Sequence, residues 1–206
     1  MYRDIFRLGF GTATVAVLLA ANPLSFASND AGSDGVDALN TDPVISKLKP
    51  AQADGRGYQL VYTINAPIDV TWDFKTDFDS QILLTNKLIK SHRLVRHTGN
   101  EVITATVYND KPKVTFKWQT TLFPGRHLLK FVLLNPEECG QVYHHGSIQL
   151  QAVGSGTRVT QEAYFDFFGV SIWVKYPFSG GMSQFLKYTA RWEQQAVMKY
   201  WHQIEK

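Results

Sequence analysis

The sequence contains a single cysteine, Cys139, among its 206 residues. One thiol cannot close an internal disulfide, and the chain has neither a Cys-x-x-Cys pair nor the Cys/His spacing of a structural zinc site. Charged residues make up only 19% of the chain and leave a net charge of +3, which gives no support for nucleic-acid binding. A glycine-rich phosphate loop is also missing. We therefore expect no nucleic-acid partner, no metal and no cofactor, and a fold that is stabilised by packing.

Residues 1 to 27 have the three parts of an export signal. Arg3 and Arg7 give a positive start, Leu8 to Ala21 is an uncharged apolar run, and Ser25-Phe26-Ala27 supplies the small residues of a cleavage site. The alternative is an uncleaved membrane anchor, but the apolar run is shorter than the roughly 20 residues that span a bilayer. We expect cleavage after Ala27 and a protein that is exported to a periplasm or secreted.

The rest of the chain divides into a leader and one domain. Residues 28 to 57 are rich in Asp, Gly, Ser, Ala and Pro and lack aromatic residues, which is typical of a flexible leader or linker. The only regular structure predicted there is a short helical turn at 44–48, between Pro43 and Pro50. Residues 58 to 206 hold most of the aromatic residues and form the folded domain.

Alternating apolar and polar residues predict a series of antiparallel strands in this domain. In the first strand, Tyr58, Leu60, Tyr62 and Ile64 share one face, and a short helix follows from residue 68 to about 77. Further strands, separated by Gly- and Pro-containing turns, are predicted in the second half of 83–97 and over 101–108, 114–122, 128–134, 141–152 and 157–168. Residues 179 to 206 lack proline and place apolar side chains on about half of a helix surface, which predicts one long helix.

Short motifs add to this order of elements. The stretch INAPIDVTW, from Ile64 to Trp72, has a strand that ends at Ala-Pro and is followed by a tryptophan, and Asp77-Phe78 places an acidic residue before an aromatic one. Residues 146–150 and 154–159 form a Gly-rich hairpin near the end of the sheet. In order and spacing, these features resemble the START-like superfamily, which is also called SRPBCC or Bet v 1-like. The apolar connection at 169–178 is longer than expected, so we assign no subfamily.

The resemblance implies an α+β helix-grip fold, in which a curved antiparallel sheet of six to seven strands wraps around the long C-terminal helix. It also implies a cavity between sheet and helix for a hydrophobic small molecule or lipid. For each side chain that strand parity or the helical wheel turns inward, the alternative to ligand contact is a place in an ordinary packed core. The candidate ligand-binding residues are Phe116, Trp118, Leu129, Phe131, Ile148, Leu150, Phe165, Phe167, Phe185, Thr189 and Glu193.

Glu193 is the most unusual residue of this predicted interior. A helical wheel places it near the middle of the apolar face, close to Thr189. A buried carboxylate needs a partner or keeps its proton. We predict His144 as that partner, because it shares strand parity with the inward residues Ile148 and Leu150. Glu193 and His144 are thus candidates for a catalytic or ligand-orienting role. The alternatives are a structural hydrogen bond, a rotated helix that exposes Glu193, and a strand bulge that turns His144 outward.

Three other features remain open. The residues Ile172, Trp173, Tyr176 and Phe178 are candidates for a gate of the cavity or for transient membrane contact, with packing over the sheet edge as the alternative. The cluster of Lys87, Lys90, His92, Arg93, Arg96 and His97 fits either anionic lipid headgroups or a solvated strand face. His144 and His145 are adjacent, and neighbouring strand residues point to opposite faces, so we expect no shared metal ion.

Binding or carriage of a hydrophobic small molecule or lipid is the function that these features favour. One alternative is an enzyme similar to the polyketide cyclase/dehydrase members of the superfamily, in which Glu193 or His144 would move protons on a bound carbonyl compound. Another is a non-catalytic envelope interaction module whose interior is filled by its own side chains. The leading hypothesis requires space for a guest between sheet and helix.

Overall fold

A computed structural model describes residues 40–50, 55–86, 89–109, 111–167 and 181–205. The predicted export signal, residues 1–27, lies outside the described residues, as do the gate candidates Ile172, Trp173, Tyr176 and Phe178. Those assignments stay predictions.

The described residues contain one sheet of eight antiparallel strands. The strands are β1 (Val44–Leu48), β2 (Arg56–Ile64), β3 (Ile89–Thr98), β4 (Glu101–Tyr108), β5 (Thr115–Phe123), β6 (Leu128–Leu133), β7 (Gln141–Val153) and β8 (Gly156–Phe167). Strands β3 to β8 form a continuous meander, because each is joined to the next by a short connection. Strand β2 pairs with β8 on one side and with β1 on the other, so the order is β1-β2-β8-β7-β6-β5-β4-β3.

Two helices frame the concave face in the described part of the chain. Helix α1 (Ile68–Thr76) begins after Pro67, whose φ of −55° suits a helix start. Helix α2 (Gly181–Ile204) is the long C-terminal helix and packs most closely against β1, β2 and α1. A curved antiparallel sheet around a long terminal helix is the predicted helix-grip architecture, so the fold prediction is confirmed. The strand count of six to seven was one or two too low.

The eighth strand lies in the segment that was predicted as a leader. The helical turn predicted at 44–48 is wrong, because this segment is the edge strand β1, which pairs with β2. Its β-branched residues Val44 and Ile45 favour a strand, and Ile45 packs against the core. The sheet therefore begins upstream of residue 58, where the sequence placed the start of the domain.

Residues ahead of β1 attach it to α2. The carboxylate of Asp42 forms ion pairs with Lys187 at 3.2 Å and with Arg191 at 2.6 Å. The Gln194 amide donates to the carbonyl oxygens of Thr41, at 3.0 Å, and Thr63, at 2.8 Å. The described part of the predicted leader thus holds the C-terminal helix against the β1–β2 edge of the sheet.

Gly146 lies on the inner face at a position that has no room for a side chain. It lies opposite Phe131 of β6 and Ala163 of β8. A Cβ atom at this position would stand 2.1 Å from the carbonyl oxygen of Glu162 and 2.5 Å from Cζ of Phe131. A backbone oxygen in the sheet cannot move aside as the end of a flexible side chain can, so only glycine fits here without a shift of the strands.

We expect Gly146→Ala to lower the free energy of unfolding by about 1–3 kcal/mol, because the added methyl group overpacks the inner face. Urea denaturation monitored by circular dichroism measures the loss. Gly125→Ala is the matched control, since a Cβ atom at Gly125 meets nothing within 4 Å, and it should change stability little. A Gly146→Ala protein as stable as the control would contradict the close approach.

Candidate functional site

The inner face of the sheet is aromatic and apolar. Seven of the candidate lining residues lie on this face and are at most 6% exposed; these are Phe116, Trp118, Leu129, Phe131, Ile148, Leu150 and Phe165. The side chains of Phe167 and Phe185 lie outside the described part. Strand alternation correctly identified the side chains that turn inward, whereas their contact with a ligand stays a prediction.

His144 is buried among these rings. Its imidazole is 2% exposed and contacts Trp118 edge-on at 5.0 Å between ring centroids, Phe165 at 5.3 Å and Phe131 at 6.3 Å. Tyr58 stacks on Phe165 at 5.9 Å between ring centroids. Burial lowers the pKa of His144 to about 3, with a smaller contribution from neighbouring His145. The imidazole is therefore uncharged at neutral pH.

A bulge at the start of β7 supplies the one hydrogen bond that the imidazole of His144 makes within the described residues. The register of β7 against β8 shifts between Gln141 and Tyr143, which turns Gln141 onto the same face as His144 although the two residues are three positions apart. Nδ1 of His144 lies 3.0 Å from Oε1 of Gln141. A bulge was one alternative that would turn His144 outward, but here it turns Gln141 inward.

Eight polar atoms on the inner side of the sheet and helix have no hydrogen-bond partner among the described residues. Each belongs to a residue that is at most 5% exposed, and none carries a charge. They are Tyr58 Oη, Thr104 Oγ1, Trp118 Nε1, Thr120 Oγ1, Gln141 Nε2, His144 Nε2, Gln161 Oε1 and Thr189 Oγ1. They come from β2, β4, β5, β7, β8 and α2, so they surround the interior rather than one corner of it. Sequence reasoning found only Trp118, His144 and Thr189 of this set.

Glu193 forms a different polar cluster, the buried triad of Glu193, Lys75 and Tyr62. Nζ of Lys75 lies 2.6 Å from Oε2 of Glu193, and both side chains are 0% exposed. The Tyr62 hydroxyl donates to Oε1 at 2.7 Å. The triad links α1, β2 and α2. Burial raises the pKa of Tyr62 well above its ordinary value, and the Glu193 carboxylate adds to this rise because it disfavours a second negative charge.

The predicted pairing of Glu193 with His144 is therefore wrong. The helical wheel correctly predicted that Glu193 is buried, and the need for a cationic partner was correct as well. The partner is Lys75. Phe74 and Lys75 lie one turn after Thr71 on the inner side of α1, and all three residues are buried. The sequence contained a sign that Lys75 is buried, because it lies next to the apolar Phe74 and one helical turn after Thr71. We did not use that sign, since a lysine near a helix end is usually exposed to solvent.

The remaining candidates do not join this site. His145 lies on the outer face, where its ring stacks on Tyr164 at 5.4 Å. Of the basic cluster, Lys87 lies outside the described residues, whereas Lys90, Arg93, Arg96 and His97 are exposed along the edge strand β3. His92 is partly buried and contacts Thr106 and the Phe78 carbonyl group. Burial raises the pKa of the Cys139 thiol to about 12, so Cys139 has no reactive thiolate near neutral pH.

A surface groove of about 340 Å³ lies between α2 and the 3-10 helix Gln81–Thr85. Ile82, Trp192, Ala196 and Lys199 contribute to its walls. None of the residues that carry the eight unpartnered polar atoms lines this groove. Within the described ranges, no group of three or more His, Cys, Asp or Glu side chains could hold a metal ion. No helix in that part of the chain has the length and hydropathy to cross a membrane.

Comparison with known sequences gives no match to a protein-family model and no significant similarity to a curated protein. Solved structures do match. A fragment of the STAR-related lipid transfer protein from Xanthomonas axonopodis gives a TM-score of 0.58 at 10% identity, over 76% of this chain and 94% of that one. The protein TTHA0849 from Thermus thermophilus gives 0.56 at 15% identity, over 68% and 96%.

A third match is the truncated norcoclaurine synthase of Thalictrum flavum, with a TM-score of 0.51 at 11% identity over 77% of this chain and 94% of the other. At such identities the similarity establishes the fold and not an activity. The eight-stranded sheet, its order and the long terminal helix agree with that result. The chain therefore has the helix-grip fold of the START-like, SRPBCC or Bet v 1-like superfamily, which its sequence motifs resemble.

Proposed function

We propose that this protein binds a hydrophobic small molecule in the interior between the inner face of the sheet and helix α2. The observation that carries the proposal is the set of eight unpartnered polar atoms within aromatic and apolar walls. Binding pockets for small molecules combine these two properties, since apolar walls supply affinity and a few polar groups fix the orientation of the ligand.

The energetic cost of these atoms argues against a simple packed core. A buried polar group without a partner costs about 1–3 kcal/mol, and this cost applies to each of the eight atoms unless a hydrogen-bond partner enters the interior. Water would supply the missing hydrogen bonds in the empty site, and the polar atoms of a guest would supply them after the guest has displaced this water.

The matched structures include a STAR-related lipid transfer protein and an enzyme, norcoclaurine synthase, so the choice between binding and catalysis rests on the geometry of the site. An acid–base enzyme is less well supported. Both carboxylate oxygens of Glu193 are occupied, one by Lys75 and one by Tyr62. The imidazole of His144, whose pKa is about 3, is a weak base. These two candidates do not approach each other as a catalytic pair would, so binding is the function that the geometry favours.

Titration with a neutral solvatochromic dye, 6-propionyl-2-(dimethylamino)naphthalene, tests the proposal. We expect saturable binding with a blue-shifted emission, because the dye enters an apolar site. Thr120→Phe fills the interior and should weaken binding at least about tenfold, whereas Thr121→Phe, on the opposite face of β5, should not.

Denaturation curves show whether each variant is folded. If Thr120→Phe does not fold, energy transfer from Trp118 replaces it as the test, because Trp118→Phe should reduce the transfer to the bound dye. Dye binding that is absent, or that is unchanged when Thr120 is enlarged in a folded protein, would overturn binding in the interior.

We also propose that the protein acts outside the cytoplasm, on the basis of the charged start, apolar run and cleavage site in residues 1–27. Exposure to an aqueous compartment is a chemical reason to enclose an apolar cargo. Expression of the full chain in a bacterial host with an intact export system tests this. The extracytoplasmic fraction should contain a protein that begins at Ser28, and N-terminal sequencing that finds only Met1 in the cytoplasm would contradict it.

A further inference from the structure

We propose that the interior selects an uncharged ring compound that carries a hydroxyl group, and that this hydroxyl donates a hydrogen bond to Nε2 of His144. This inference rests on the proposed function and specifies the chemical class of the ligand. It joins three observations, which are the orientation of the imidazole, the rings around it and the distribution of charge in the interior.

The contact with Gln141 determines which nitrogen of His144 is free. Oε1 of Gln141 accepts from Nδ1 at 3.0 Å, so Nδ1 carries the proton in the neutral ring. Nε2 is then a lone-pair acceptor. It is buried and has no partner among the described residues. An acceptor on a side chain that is only 2% exposed requires a donor, and a hydroxyl group is the smallest donor that a neutral guest can bring.

The surroundings of Nε2 favour a flat or cyclic guest. Trp118, Phe131 and Phe165 surround the imidazole at centroid distances of 5.0 to 6.3 Å, and ring edges and faces pack best against another ring. Trp118 and Gln141 also present unpartnered N–H donors in the same region. A second oxygen on the guest, such as a carbonyl oxygen, could accept from these groups, so a hydroxyl and an acceptor on one ring system would fit the site.

Charge in the interior excludes an ionised guest. Lys75 and Glu193 are the only buried residues with charged side chains in the described part of the chain, and they neutralise each other at 2.6 Å. Among the described residues, a carboxylate or phosphate would find no free buried cation, and an ammonium group would find no free buried carboxylate. Burial of an uncompensated ion costs several kcal/mol. The interior therefore discriminates against fatty acids and anionic headgroups.

Three naphthalenes of similar size test this inference by displacement of the dye used above. At pH 7, we expect 2-naphthol to bind about tenfold more tightly than 2-methoxynaphthalene, which cannot donate to Nε2. We expect 2-naphthoate, which is ionised at this pH, to bind at least about tenfold more weakly than 2-naphthol. His144→Phe keeps an aromatic ring but removes the acceptor, so this variant should bind 2-naphthol and its methyl ether with about equal affinity.

His145→Phe is the matched control, because His145 is the next residue on β7 but lies on the outer face. It should keep the full preference. Urea denaturation monitored by circular dichroism shows whether both variants are folded, and isothermal titration calorimetry measures the two affinities directly if the dye does not bind His144→Phe. Equal affinities for naphthol and its ether in the wild type, or a preference that survives in His144→Phe, would overturn this inference while leaving the proposed function intact. Failure of the dye and all three naphthalenes to bind would overturn both.

Discussion

Replacement of Lys75 by methionine is expected to lower the free energy of unfolding by about 3–5 kcal/mol. The change removes the cation but leaves the Glu193 carboxylate 0% exposed, with only the Tyr62 hydroxyl as its partner. An isolated buried charge is far more costly than a buried pair, because its hydration is lost without compensation. Urea denaturation of wild type and variant measures the difference.

The double variant Lys75→Met/Glu193→Gln separates the cost of an unpaired charge from the loss of packing. It removes both charges, and the amide oxygen of the glutamine still accepts from the Tyr62 hydroxyl. We expect the double variant to be more stable than Lys75→Met alone by about 2 kcal/mol or more, because it no longer buries an unpaired charge. Lys187→Met, which breaks the exposed pair with Asp42 on the same helix, is the control and should be nearly as stable as wild type.

If Lys75→Met proved as stable as Lys187→Met, the Lys75–Glu193 pair could not be a desolvated contact, and helix α2 would have to lie differently against α1. A double variant that is less stable than the Lys75→Met single variant would likewise contradict the unpaired-charge argument. The stabilities of these variants thus test directly how helix α2 packs against α1.

Local patterns in the sequence were sufficient for most of the sheet. Strand β4 was predicted with its observed bounds, Glu101–Tyr108, because a turn with Gly99 at φ 58° precedes it and a second turn follows. Strand β1 was missed because its five residues lie within a segment whose Asp, Gly and Pro content is typical of linkers. Its stability comes from pairing with β2, which no pattern inside residues 44–48 reveals.

In the candidate site, too, local sequence patterns predicted which residues are buried but not which residues they contact. Helical periodicity predicted that Glu193 is buried, since position on a wheel is a local property. Its partner Lys75 is 118 residues away in sequence, and only the packing of α1 against α2 brings the two together. Likewise, strand parity turned His144 inward, but the bulge that brings Gln141 beside it breaks parity and leaves no mark in the hydrophobic pattern.

Acidification is expected to destabilise the protein through His144. In the unfolded chain this imidazole takes up a proton at its ordinary pKa of about 6.5, whereas in the folded protein burial lowers the pKa to about 3. Between these values the unfolded state binds more protons than the folded state, so stability falls as the pH falls. The full contribution is present above about pH 6.5 and is lost progressively towards pH 3.

From pH 8 to pH 5, the loss from this residue is about 2 kcal/mol, at 1.36 kcal/mol for each pH unit below 6.5. Urea denaturation at pH 8, 6.5 and 5 measures it. Burial also lowers the pKa values of His92 and His145, which adds to the slope in the same direction. The variant His144→Phe isolates one residue from the others, since it should lose about 2 kcal/mol less than wild type over this interval.

His145→Phe should keep most of the wild-type slope, because His145 lies on the outer face and is only partly buried. Parallel pH profiles for wild type and His144→Phe would contradict an uncharged, buried His144.

The same titration also constrains ligand binding. The imidazole of folded His144 stays neutral down to about pH 3, so Nε2 remains an acceptor at pH 5. The preference for 2-naphthol over its methyl ether should therefore be the same at pH 8 and pH 5, although the free energy of unfolding declines over this range. A preference that disappeared near pH 6.5 would show that His144 is accessible to protons in the folded protein.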